Sequence, residues 1–115
     1  MRTTSKLVAI AVCCFAVLYL STLAWGQAAS TDAGAATFKT KCAMCHGPDG
    51  SGKTTMGEKL KIRDLHSSEV QSQSDAELTQ IVTKGKEKMP AYDGKLSQEQ
   101  IAGVLAYIRE LGKKK

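Results

Sequence analysis

Five consecutive residues, Cys42-Ala43-Met44-Cys45-His46, constrain this chain more than any other stretch of it. Two thiols three positions apart with an imidazole directly after them form the C-x-x-C-H signature of covalent c-type haem attachment. The spacing has a physical origin. Both sulfurs must meet the two vinyl groups on one edge of a porphyrin, and the adjacent His46 must reach over the ring face to iron. Other uses of such a pair find little support. A structural zinc ion needs four ligands, and downstream of the leader described next only His66 could add to the pentapeptide. A dithiol redox motif sits at a strand-to-helix turn, and no apolar strand precedes Cys42.

The rest of the composition agrees with a chain organised around a bound group. It has 115 residues, room for one domain. Its apolar residues are unevenly spread: 19 fall within residues 1–28 and 30 in the other 87. Small domains with so few apolar side chains need a disulfide, metal or cofactor to hold them. Residues 1–28 read as a secretory leader: Arg2 and Lys6, an apolar run from Leu7 to Leu20, then small residues around Gly26 and Ala28. An uncleaved anchor is the alternative, since Leu7–Trp25 nearly reaches the length of a bilayer span. A leader places the chain in the periplasm, where c-type haem is attached. It also removes Cys13 and Cys14, leaving Cys42 and Cys45.

The formal net charge is +5. Lys113-Lys114-Lys115 reads as a solvated tail, and no nucleic-acid-binding motif accompanies the basic residues. Gly47-Pro48-Asp49-Gly50-Ser51-Gly52-Lys53-Thr54 matches the phosphate-binding pattern G-x-x-x-x-G-K-[ST]. That mechanism requires a buried strand before the loop, and the cysteine motif stands there instead. The stretch reads as a turn-rich loop leaving the haem motif.

Helical signals fill the remainder. Thr31 or Asp32 can cap a first helix running to about Lys41, with Gly34, Phe38 and Cys42 on one face. A loop follows from Gly47 to about Ser74, with a short helical turn near Gly57–Lys61. Ser74 and Glu77 form a capping box opening a helix with Leu78, Ile81 and Val82 in a stripe, ending at Gly85. Ser97 and Gln100 form a second box, with Leu96 and Ile101 as a hydrophobic staple. The last helix spaces Ile101, Val104, Leu105, Ile108 and Leu111 on one face and stops at Gly112. No β alternation is present, so the domain, residues 29–115, is all-α.

Iron held by His46 needs a second axial ligand from the opposite ring face. Met56, His66 and Met89 are the candidates. Met56 leaves the proximal side too soon to pass round the ring, and His66 reads as a surface loop histidine. Met89 lies 43 residues past His46 between two helices, stiffened by Pro90 and flanked by polar residues that make a core role unnatural. A thioether there favours ferrous iron and raises the potential. Met89 is the favoured ligand.

With these residues in place the chain resembles a class I c-type cytochrome of the small bacterial monohaem kind, over nearly all of residues 30–112. The resemblance rests on Gly34-x-x-x-Phe38-x-x-x-Cys42-x-x-Cys45-His46, on Lys88-Met89-Pro90-Ala91-Tyr92, and on Leu105-Ala106-Tyr107-Ile108 near the end. It implies a cytochrome c-like fold wrapped around one covalent haem c, with first and last helices crossing at Gly34, Phe38 and Tyr107. It also implies His46 and Met89 as the axial pair. One departure stands out: between Lys53 and Met89 there is no proline, whereas many members use a proline carbonyl there to orient the proximal histidine. Pro48 or another carbonyl must then accept from His46.

The expected function is that of a periplasmic one-electron carrier between a respiratory donor complex and a terminal oxidase or reductase, a monomer rather than an enzyme. Lys84, Lys86, Lys88 and Lys95 flank Met89 and can steer an acidic redox partner, with Glu87 and Asp93 interrupting them. The alternatives are a small-ligand enzyme or sensor with a labile sixth position, or a membrane-anchored cytochrome subunit if the leader is retained.

Overall fold

The structure, a computed structural model, describes residues 31–114. The leader expected over residues 1–28 lies outside them, as does Lys115. Helix α1 covers residues 31–41 and is already helical at Thr31. Thr31 and Asp32, the expected caps, both lie within it. A single turn, α2 (Ala43–His46), follows after a break at Cys42. Then come α3 (Thr55–Leu60), α4 (Ser68–Gln71), α5 (Asp75–Lys84) and α6 (Gln98–Lys113). Among the described residues the only β feature is an isolated bridge between Lys86 and Met89. The domain is all-α, as the sequence implies.

The two long helices start where their capping boxes place them. Ser74 Oγ accepts from the Glu77 N–H, and Glu77 Oε2 accepts from the Ser74 N–H at 2.7 Å. Ser97 and Gln100 repeat the exchange at the head of α6. Leu96 and Ile101, the staple pair, are both buried. The apolar stripe of α6 (Ile101, Val104, Leu105, Ile108, Leu111) is buried along its whole length.

That stripe forms the core with Phe38 from α1, Leu65, Val70, and Leu78 and Val82 from α5. Phe38 and Val104 are the most enclosed, each 1% exposed. Helix α1 crosses α6 at Gly34, where a Cβ would overlap the backbone of Gly103. Just along the crossing the Phe38 and Tyr107 rings meet at 5.2 Å between centroids, tilted by 57°. An edge-tilted pair of this kind suits the ring quadrupoles.

Between Gly47 and Ser74 the chain is more structured than its periodicity suggests. The turn expected near Gly57 is α3, beginning two residues earlier because Thr54 caps it by accepting from the Gly57 N–H. Helix α4 is a single turn capped by Ser67, too short to leave a pattern in the sequence. At the other end, α6 does not stop at Gly112 but runs through it to Lys113. The glycine is there for space: a Cβ would overlap the Gln71 side chain. Gln71 Nε2 donates to the carbonyls of Leu65 (2.8 Å) and Ile108 (3.1 Å), joining α4 to α6. Arg109 adds a second tie, donating to Asp75 Oδ1 and to the carbonyls of Gln71 and Gln73.

Candidate cofactor site

Cys42 sits at the joint between α1 and α2. Its own N–H closes α1 on the Phe38 carbonyl (2.8 Å), and its carbonyl accepts from both Cys45 (3.2 Å) and His46 (2.9 Å). The break turns α2 so that Cys42, Cys45 and His46 are all half-buried while Met44 is 78% exposed. The two cysteines form no disulfide. Burial, reinforced by the neighbouring Cys45, pushes the Cys42 thiol up to about 11, so it is protonated at neutral pH. Burial likewise lowers His46 and leaves its imidazole neutral, the form that offers a lone pair to a metal.

The loop after His46 wraps this segment. Gly52 N–H donates to the His46 carbonyl at 2.7 Å, and Thr54 Oγ1 donates to the Cys45 carbonyl at 2.9 Å. Gly57 presses against the carbonyls of Gly52 and Cys45, leaving no room for a side chain. The same contacts remove the phosphate-loop reading. No strand precedes the loop, and its amides are used internally. Gly50 donates to Gly47, Ser51 to Asp49 Oδ1, Gly52 to His46, Lys53 to Ser51 Oγ and Thr54 to Gly52.

His46 Nδ1 is buried without a hydrogen-bond partner. The acceptor expected from Pro48 or another carbonyl is not made. A buried, unpaired imidazole nitrogen is costly for a site complete in itself. It suits one built around a further group. The donor set fits a c-type haem: two free thiols at vinyl spacing, a neutral imidazole, and thioethers elsewhere in the chain.

The three candidates for the opposite side are held differently. Met56 lies on α3, 41% exposed. His66 is pinned in its loop, with Nδ1 2.6 Å from Asp64 Oδ1, which also accepts from the His66 N–H. Met89 is half-buried and packs against the core cluster that Cys42 and Ala43 also border. A tight turn carries it: Lys86 N–H donates to the Met89 carbonyl (3.2 Å) and Met89 N–H to the Lys86 carbonyl (2.9 Å). Gly85, at φ +75°, folds that turn back over the end of α5, where any side chain would meet Met89 and Pro90.

The residue that sequence reasoning passed over is Tyr92. It appears there only as part of a motif. Its N–H donates to the Val82 carbonyl (3.1 Å) and its hydroxyl to the Lys41 carbonyl (3.0 Å), 51 positions away. Burial first, then Cys42 and Cys45, raise its phenol above the ordinary value. The loop bearing Met89 is thus tied directly to the cysteine segment.

A helical domain with its thiols and imidazole in one short segment, tied through Tyr92 to a loop carrying a methionine, defines a haem-binding cytochrome of the covalent type. Comparison with known proteins narrows this. Residues 29–108 match the family described as cytochrome c oxidase, cbb3-type, subunit III. Cytochrome c6 of Thermostichus vulcanus is 39% identical over 101 residues, covering 86% of this chain and 87% of that protein. Cytochrome c6 of Aphanizomenon flos-aquae is 40% identical over 86 residues, 71% and 91% of the two chains. Cytochrome c6 of Picosynechococcus sp. is 34% identical over 112 residues, 91% and 92%. The chain belongs to the small class I monohaem c-type cytochromes, as its motifs imply. It is a one-electron carrier rather than an enzyme, and its family membership implies covalently bound haem c with iron. No helix among the described residues is long and apolar enough to cross a membrane.

Proposed function

We propose that this cytochrome works in the periplasm as a monomer, passing single electrons from a respiratory donor complex to a terminal oxidase or reductase. Cys42 and Cys45 would hold the haem, and His46 and Met89 would be the axial iron ligands. Bound haem supplies an iron that changes oxidation state by one electron. With His46 and Met89 both holding the iron, no exchangeable ligand site would be left for bond-making chemistry.

The protein's own part is to hold and shield. Cys42, at the helix break, and Cys45, on the turn after it, would hold the group covalently through their thiols. Phe38, buried between Tyr107 and His46 with ring centroids 5.2 and 6.4 Å away, keeps water from that side of the imidazole. The Lys86–Met89 turn limits the freedom of the Met89 backbone, so less entropy is lost when the thioether is held.

The placement of Met89, half-buried against the same core as the attachment segment, carries this reading over Met56 and His66. The test is the optical spectrum of the ferric holoprotein, with the weak far-red sulfur-to-iron band as readout. The band should be present in the wild type and in His66→Ala, and absent in Met89→Ala with haem still covalently bound. A wild type lacking it removes Met89 from the iron. The intact mass of the same sample reads the leader: export with cleavage predicts a mature chain starting near residue 27 or 29.

A further inference from the structure

In an unbroken helix the Lys41 carbonyl would accept from the Cys45 N–H. Here that amide turns to the Cys42 carbonyl instead, because the chain breaks at Cys42. The Lys41 carbonyl is left without its helical donor, at the residue next to the first haem cysteine. The Tyr92 hydroxyl supplies the missing bond. The rest of Tyr92 is anchored independently. Its N–H is bonded to Val82 in α5, its carbonyl accepts from Lys95 and Leu96 (3.0 Å each), and its ring packs against the core. One residue therefore joins the end of α5, the segment carrying Met89 and the start of the attachment motif.

We infer that Tyr92 is a positioning residue whose hydroxyl, by bonding the carbonyl freed at the helix break, holds the Met89 turn against the cysteine segment and keeps the sixth iron position filled from within the chain. The inference rests on the reading of Met89 as ligand. The turn is held by its two backbone bonds, the Gly85 fold-back and the packing of Met89 on the core, and its flanking Lys84, Lys86 and Lys88 are exposed. Opening it would move Met89 away while leaving the core intact. The tie from Tyr92 to Lys41 opposes that opening, since it spans from the segment that follows the turn to the cysteine segment.

The test is imidazole binding to the ferric holoprotein, read from the shift of the Soret band, in wild type, Tyr92→Phe and Arg109→Gln. Imidazole competes with Met89 and binds only after the turn opens. Tyr92→Phe removes one oxygen and leaves the ring in place. The net value of one such hydrogen bond predicts imidazole binding about three- to tenfold tighter. Arg109→Gln breaks ties among α4, α5 and α6 away from the turn, so it should lower global stability yet leave imidazole affinity within about twofold of wild type. Tyr92→Phe within about twofold of wild type would overturn the inference. So would equal tightening in both variants, because the tyrosine would then act only through overall stability. Should Tyr92→Phe fail to hold haem, the wild-type holoprotein still decides the matter by NMR. A slowly exchanging Tyr92 hydroxyl proton close to the Lys41–Cys42 backbone supports the tie, and a freely exchanging one overturns it. A wild type without the far-red band marks failure of the ligand assignment instead, and the inference falls with it.

Discussion

A methyl group on Gly34 would run into the Gly103 backbone, because α1 and α6 approach there with no side chain between them. The crossing also sets where Phe38 meets Tyr107 and how His46 is backed. Neither helix can retreat without opening the core around Val104. Gly34→Ala should therefore cost about 3 kcal/mol, at the upper end for overpacking, since backbone rather than a flexible side-chain tip must yield. Chemical denaturation of the holoprotein followed by circular dichroism measures this, and a loss below about 1 kcal/mol would show that the crossing adapts. At this scale the sequence was partly legible. Gly34, Phe38 and Tyr107 could be placed through the family pattern. Gly103 could not, since a glycine inside a helix registers locally only as a cost. Its reason appears once another helix lies across it. Tyr92 was hidden similarly: its partner is 51 residues away and exists only because the helix breaks at Cys42.

At the scale of elements, the helices that announce themselves chemically are the ones the sequence revealed. Both capping boxes form, and α5 and α6 start at the residues after Ser74 and Ser97. Helix α4 has four residues and a lone Ser67 cap, too little for periodicity to register. Gly112 misleads for an instructive reason. Glycine after an apolar stripe signals a helix end, but here the close approach of Gln71 demands it and the helix continues. The Ser74–Glu77 box also makes a pH prediction. Bonds from the Ser74 N–H and hydroxyl hold the Glu77 carboxyl below its ordinary 4.5. A lowered carboxylate stabilises the fold above its unfolded value, and this contribution is lost as pH falls through the folded value. Glu77→Gln should therefore flatten part of the decline in stability below about pH 4.5, with little change at pH 7 where the amide can still accept. Denaturation midpoints of variant and wild type, compared between pH 3 and 7, would show parallel curves if the box carried no such linkage.

At the scale of the whole molecule, charge is arranged around the site more than it is paired within the fold. Among the described residues, ion pairs join Arg63 to Glu69, Asp75 to Arg109 and Glu110 to Lys113. None engages Lys84, Lys86, Lys88 or Lys95. All four are exposed, three on or beside the Met89 turn and the fourth with its ammonium 6.0 Å from the Tyr92 ring centroid. Exposed, unpaired charges of one sign draw in an oppositely charged partner at long range and lose that influence as salt rises. Glu87 and Asp93 lie in the same stretch and reduce the field without cancelling it. The effect can be measured without knowing the natural partner, using small redox probes of opposite charge. Lys86→Gln with Lys88→Gln should slow oxidation of the ferrous protein by hexacyanoferrate(III) about three- to tenfold at low salt. The same pair should speed electron exchange with hexaammineruthenium, and both differences should shrink once the Debye length falls to about 3 Å near 1 M salt. The two probes separate charge from structure. A substitution that merely disturbed the Met89 turn would shift both rates in a way salt does not erase, whereas a field at the exposed edge must change them in opposite directions and vanish with screening. Equal rates for variant and wild type at low ionic strength would place the point of electron entry away from this turn.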